Sequence, residues 1–383
     1  MSKAVELRLD KSRGLSAIAQ RFISEGKVLS VQPLGNGNIN HTFLVTVGTA
    51  QAGQVAQRQF VLQCINAQVF RQPERVIQNM VVLSEHIRDR VADVPSHWQT
   101  PHILPTQQGH YYWIDAAGDY WRAISFIEGA HVLETVQDEG HAEAVGSGLA
   151  TFHRLISTLP CDHLTDTLEG FHITPSYLAE YEQVRRDQAA QSRLEAERSQ
   201  YCTAFIEQRK AGAGILEQAK AAGCLQLRPI HGDPKVNNIM LDANGQAVGL
   251  IDLDTLKPGL VHYDIGDCLR SGCNPLGEET EDWQSVAFDA DLARAMLRGY
   301  LSLAGDFLSP QDYDYLYDAI RLIAFELGLR FFTDYLAGNP YFKVKHPAHN
   351  LTRALVQFKL TESIEQQVHT LRAMIQSMRQ LEQ

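Results

Sequence analysis

The run His231-Gly232-Asp233-Pro234-Lys235-Val236-Asn237-Asn238-Ile239-Met240 sets an asparagine five residues after an aspartate. The apolar segment Gly249-Leu250-Ile251 then delivers a second aspartate, Asp252. Phosphoryl transfer asks for such a set. A carboxylate must sit beside the attacking hydroxyl, and oxygen ligands must hold the magnesium that bridges the phosphates of ATP. Asp233 suits the base, and Asn238 and Asp252 suit the metal. Between them Leu241-Asp242-Ala243-Asn244-Gly245 reads as a hairpin turn, and a short loop followed by a hairpin can aim all three groups at one point. His231 is expected to brace the loop by hydrogen bonding, and Asp254 to orient either the metal shell or the substrate. A lone H-x-D would say little. The full H-G-D-x-x-x-x-N followed by an apolar strand and Asp is the layout of protein-kinase-like catalytic sites.

A second motif, Leu34-Gly35-Asn36-Gly37-Asn38, lies between two predicted strands near the N-terminus. Gly35 and Gly37 let a backbone come close to phosphates and turn its amides toward them. Asn-Gly is also the commonest hairpin turn, so the motif gains its weight from lying upstream of the Asp233 loop.

The elements that must position these residues fall into two groups. Residues from about Leu15 to Gly26 read as a short helix closed by glycine. Val28–Pro33, Thr42–Gly48, Val55–Cys64, Tyr111–Ile114 and Tyr120–Ile127 read as strands, with one helical stretch, Glu74–Arg90, among them. That pattern predicts an antiparallel sheet carrying one helix. Beyond Gly140 the chain is mainly helical, with short apolar segments Leu227–Ile230, Ile239–Leu241 and Val248–Leu253 around the catalytic motif. The polar stretch Tyr177–Ala222 reads as a solvated helical hairpin, because its apolar positions hold no sustained heptad. The prediction is an α+β fold of protein-kinase-like, two-lobed design. A small sheet lobe (1–126) would clamp the nucleotide, and a larger helical lobe (127–383) would carry the catalytic loop and the acceptor site.

Composition narrows the partners. The 383 residues are 44% hydrophobic and 21% charged, with a formal net charge of -11. This argues against nucleic acid or an anionic membrane as a surface-wide partner. The cysteines are scattered without a C-x-x-C pair, which predicts buried free thiols in a reducing compartment rather than a zinc site. No apolar run approaches the length of a membrane helix, and a cytoplasmic location is expected. His346 and His349 are separated by Pro347, which favours packing over a metal site.

These residues resemble the aminoglycoside phosphotransferase and choline kinase superfamily, and within it the N-acetylhexosamine 1-kinases. The likeness runs through Gln32–Val45, Phe60–Phe70, Trp121–Gly129, Ile230–Asp242, Ile251–Gly272 and Leu329–Leu351. It implies Asp233 as base, Asn238 and Asp252 on magnesium, and a hinge at Ser125–Glu128 whose backbone, at Phe126 and Ile127, meets adenine. It also implies contacts from Arg330 and Tyr341 to an N-acetylated sugar, phosphorylated at its anomeric hydroxyl. Two departures stand out. The strand position that usually holds a phosphate-binding lysine is Gln63, which leaves a further cation unidentified. Asn38 replaces the family histidine that contacts the sugar. The alternatives are a kinase of choline, ethanolamine, homoserine or an aminoglycoside, or a nucleotide-binding pseudokinase scaffold. Cationic acceptors call for carboxylates or aromatics, and Arg330 speaks against them. Oligomeric state is not legible.

Overall fold

The computed structural model describes residues 14–35, 39–51, 54–90 and 97–381. Six strands make the N-terminal sheet: β1 (Lys27–Pro33), β2 (His41–Gln51), β3 (Gln54–Ile65), β4 (Ile103–Leu104), β5 (Trp113–Ile114) and β6 (Tyr120–Ser125). They run antiparallel in the order β1-β2-β3-β6-β4, with β5 also on β6. Helix α1 (Pro73–Arg88) lies between β3 and β4. In this sheet β4 was not foreseen, since two residues are too few to show a period.

The two-residue period of the strands sorts this sheet into faces. Phe60, Leu62 and Cys64 on β3, Val45 and Val47 on β2, and Trp121 and Ala123 on β6 share one buried face. Ala19, Phe22 and Ile23 cover it from the N-terminal segment. Helical geometry there spans 14–20 and the chain turns at Gly26, so the helix is shorter than expected. One-residue steps put Gln63 and Arg122, direct cross-strand partners, on the opposite face. That face looks toward α1 and the metal-loop candidate.

The remainder is a larger helical lobe. It comprises α2 (Glu139–Ile156), α3 (Thr174–Val184), α4 (Gln188–Leu194), α5 (Glu197–Arg209), α6 (Ile215–Ala221), α7 (Val261–Gly272), α8 (Ala290–Leu301), α9 (Pro310–Asp314), α10 (Leu316–Ala337), α11 (His349–Gln366) and α12 (Val368–Leu381). Two small antiparallel pairs, β7 (Arg228–Ile230) with β10 (Lys257–Gly259) and β8 (Ile239–Leu241) with β9 (Ala247–Leu250), carry the catalytic motif. The stretch Tyr177–Ala222 is not a solvated hairpin. It is split among α3–α6, and Tyr181, Ala190, Cys202, Phe205, Ile206, Leu216 and Ala219 are buried in the main core. Asp187 breaks the stretch by starting a separate helix, capping α4 at the Ala189 amide 3.0 Å away, and the many Glu, Gln and Arg residues mask the few apolar anchors. Helix α1 lies within the first 126 residues, yet Val76, Ile77, Met80 and Leu83 join the same core as α2 and α10.

Among the described residues, no helix is long and apolar enough to cross a membrane. The cysteines are free, as expected, but Cys161 and Cys224 are half-buried rather than buried, one in a 3-10 turn and one after α6. His349 meets Glu279 at 3.0 Å and His346 meets Glu281 at 3.7 Å, so each faces a carboxylate on the 274–285 segment.

Candidate active site

Strand β7 ends at Ile230 and releases the loop His231–Asn238. Here Gly232 adopts φ +90°, and a Cβ at this position would stand 2.6 Å from the Thr255 carbonyl oxygen. Glycine is required twice over, by handedness and by space. The amides of His231 and Gly232 both donate to the buried Asp264 carboxylate, at 2.7 and 2.8 Å, and His153 meets the same carboxylate at 2.8 Å. Burial works to raise the pKa of Asp264, but His153 and the Gly232 amide overcome it and hold the group below the usual carboxylate range.

Two further histidines fix the loop in opposite charge states. His231 accepts the Asp233 amide at Nδ1 (3.2 Å) and so must donate from Nε2 to the Ile251 carbonyl (2.9 Å). One acceptor and one donor nitrogen define neutral imidazole, and burial lowers the His231 pKa accordingly. His172 instead faces two acceptors, the Glu326 carboxylate at 2.9 Å and the Gly232 carbonyl at 2.6 Å. Both of its nitrogens must donate, which defines imidazolium. Burial opposes that charge, but Glu326 outweighs it and the pKa is raised. Thr174 donates to the other oxygen of Glu326 at 2.6 Å.

This scaffold presents the groups singled out by sequence. Asp233 keeps a partly exposed carboxylate whose Oδ2 lies 3.0 Å from Lys235 Nζ. Asn238 donates from Nδ2 to the Asp233 carbonyl at 2.7 Å and accepts the Ile251 amide on its own carbonyl at 2.9 Å. Asn238 thereby ties the loop to the strand end that delivers Asp252. Asp252 sits at φ +64°, a left-handed geometry that aspartate tolerates better than most residues. Its carboxyl is pushed up to about 7 by burial and by the neighbouring Asp254 and Asp233, with Lys235 and Arg122 opposing.

The donor set fits magnesium. Spending Nδ2 of Asn238 on a carbonyl leaves its amide oxygen as the free ligand, and a carboxyl whose ionisation its acidic neighbours resist gains most from a hard cation. No cluster of three or more His, Cys, Asp or Glu side chains forms a separate metal site among the described residues.

Sequence reasoning missed Arg122. It is buried, it donates from Nε and Nη2 to Gln63 Oε1 at 3.0 and 2.7 Å, and it pairs with Asp254. Asn40 reaches the second oxygen of Asp254 at 2.6 Å. Asp254 is therefore the meeting point of two N-terminal side chains rather than an open ligand. An arginine in the apolar run Tyr-Trp-Arg-Ala-Ile was the available signal. Lys235, His153, His172 and Glu326 were also passed over.

The remaining expected residues are placed as follows. Gly35 has φ +69° with open space around it, and Leu34 donates to the Thr42 carbonyl at 2.9 Å to close the turn. Gly37 and Asn38 lie outside the described residues. In the hinge, the Ser125 amide is taken by the His102 carbonyl at 2.9 Å, whereas Phe126 and Ile127 make no backbone hydrogen bonds among the described residues. The Ile127 side chain packs on Met240 and Val248. Arg330 on α10 lies over the rings of Phe171 (5.0 Å), Tyr177 (5.0 Å) and Phe342 (5.5 Å). Tyr341 is exposed and lies near enough, with Asp233, to act electrostatically on Arg330.

Residues 30–306 match the model of the phosphotransferase enzyme family, APH. The chain belongs to this family. An APH-type fold is also what solved structures show. The microcompartment-associated aminopropanol kinase is 17% identical over 93% of this chain and 98% of its own, with a TM-score of 0.59. Choline kinase from Cryptosporidium parvum is 15% identical over 95% and 99%, with a TM-score of 0.56. An aminoglycoside phosphotransferase from Alicyclobacillus acidocaldarius is 16% identical over 96% and 95%, with a TM-score of 0.51. This APH-family member is thus a phosphotransferase.

Proposed function

We propose that the enzyme is a magnesium- and ATP-dependent kinase that transfers the γ-phosphoryl group to a sugar hydroxyl, specifically the anomeric hydroxyl of an N-acetylhexosamine. Asp233 takes the proton from that hydroxyl as its oxygen bonds to the γ-phosphorus and the bond to the ADP oxygen breaks. Lys235 fixes the direction of the Asp233 carboxylate. Asn238 and Asp252 would hold the metal, which would neutralise phosphate charge. The backbone of Phe126 and Ile127, unpaired among the described residues, is available to adenine beside the apolar patch of Ile127, Met240 and Val248.

One observation carries the acceptor class. The Arg330 guanidinium is caged by three aromatic rings, has no carboxylate at ion-pairing distance among the described residues, and feels Asp233. A cation held beside the base repels choline, ethanolamine and aminoglycosides. It offers a planar donor array to ring hydroxyls or an acetamido carbonyl, and the exposed Tyr341 adds a flat apolar face. The resemblance along Leu329–Leu351 supports the same assignment.

The test is ADP release from ATP and Mg²⁺ with N-acetylglucosamine, N-acetylgalactosamine, their non-acetylated parents, aminopropanol, choline and kanamycin. Phosphorus NMR identifies the product. Turnover confined to acetylated hexosamines, giving a sugar 1-phosphate, is expected. Turnover on choline, aminopropanol or kanamycin would overturn the acceptor and keep the catalytic residues. Silence with ATP still bound would favour a scaffold.

A further inference from the structure

Resting on the nucleotide part of that reading, we infer that Arg122, working through Gln63, supplies the positive charge of the phosphate subsite that a strand lysine supplies in other kinase-like folds. Such folds set a lysine on the third strand and a glutamate on the following helix, and their ion pair holds the lysine for the α- and β-phosphates. Here both members have moved. The strand position is Gln63, and the helix presents Met80, whose sulfur lies 3.2 Å from Arg122 Nη1. The acidic residues of α1, Glu74 and Glu85, are exposed. The cation stands one strand over, directly across from Gln63 in register, and its carboxylate partner is Asp254 of the metal loop.

The hydrogen bonds show how a buried guanidinium can act at a distance. Arg122 donates twice to Gln63 Oε1, so the amide oxygen is occupied and the NH₂ end is the one left to face outward. One hydrogen of that group goes to Thr42 Oγ1 at 3.1 Å, and the other, without a partner among the described residues, is offered to a phosphate oxygen. Without Arg122 the amide is free to turn its oxygen toward the phosphates, where it would repel them. Asn40 shares the Asp254 carboxylate, so Asp254 does not direct both oxygens at Arg122. Gln63 is thus the binding group and Arg122 its positioning residue, linked through Asp254 to the loop that follows Asp252.

The experiment is titration calorimetry of the full chain with ATP, ADP and adenosine. Arg122→Met is expected to weaken ATP and ADP by about 10- to 100-fold, the scale of a charge-assisted hydrogen bond, and leave adenosine within about twofold. The swap Arg122→Met with Gln63→Lys returns one cation to face Asp254, and is expected to restore ATP to within about fivefold of the native chain. Parallel weakening of adenosine and ATP, or native ATP affinity in Arg122→Met, would overturn the inference. Should Arg122→Met fail to fold, the charge-conserving swap decides alone. Native-like ATP affinity supports the inference, and adenosine binding without ATP preference overturns it. A native chain that binds ATP more tightly than adenosine yet phosphorylates none of the acceptors sinks the proposed substrate while leaving Arg122 in place. A native chain without that preference sinks both.

Discussion

The two sides of Asp233 are built on different principles. On the loop side, every polar group near Gly232 is committed: Asp264 receives two amides and His153, His231 bridges to Ile251, and His172 reaches both Glu326 and the Gly232 carbonyl. On the proposed acceptor side, Arg330 lies over ring faces with no hydrogen bond or ion pair among the described residues, and Tyr341 is exposed beside Phe342 at 4.8 Å. The first arrangement allows one geometry. The second allows the Arg330 guanidinium or the Tyr341 ring to shift without breaking a hydrogen bond among the described residues. On the proposed reading, the loop that presents the base is locked by a buried network, and acceptor choice rests on contacts that can be exchanged cheaply.

Mutations can break this contrast. The largest effect is expected from Asp264→Ala, which strands two amides and a histidine in the core. A loss of about 3–5 kcal/mol of stability, the scale of a broken buried pair, should appear in denaturant unfolding, together with loss of turnover. Asp233→Asn should leave unfolding unchanged and lower kcat by at least ~2 orders of magnitude, the scale of general base catalysis. A mutant with near-native turnover would remove Asp233 from its role. Arg330→Met should raise KM for the acceptor by about 10-fold with little change in kcat or melting temperature, as expected where one hydrogen-bonding group is lost from binding. A large drop in stability there would show that the acceptor side is as rigid as the loop.

The smallest effect sharpens the comparison through pH. His172 has a pKa raised above 6.5 in the folded chain, by Glu326 against the penalty of burial. Its ion pair therefore stabilises fully below about 6.5, the unfolded value, and that contribution fades as pH rises through the folded value. The difference in stability between the native chain and Glu326→Gln should accordingly be larger at pH 6 than at pH 9. A difference that grows with pH would contradict the imidazolium assignment.

Much of this was legible in the sequence because it depends on local order. The spacing from Asp233 to Asn238 and the hairpin to Asp252 are properties of one short stretch, and the strand alternation around Gln63 is read residue by residue. What escaped was long-range. Arg122 meets Asp254 across 132 positions and His172 meets Glu326 across 154, and no periodicity links such pairs. The polar stretch Tyr177–Ala222 failed for another reason, since Tyr181, Cys202, Phe205 and Ile206 bury themselves at intervals too sparse to outvote the charged residues around them.

Asp252 carries a consequence for how this protein can change over generations. At φ +64° the backbone admits few side chains, and asparagine and glycine are the ones it accepts most readily. Each lies a single base away from an aspartate codon. Drift at this position therefore has open exits that preserve the fold while discarding the charge. If Asp252 holds the metal as proposed, a lineage that loses its substrate would pass by one such step from enzyme to inert nucleotide binder.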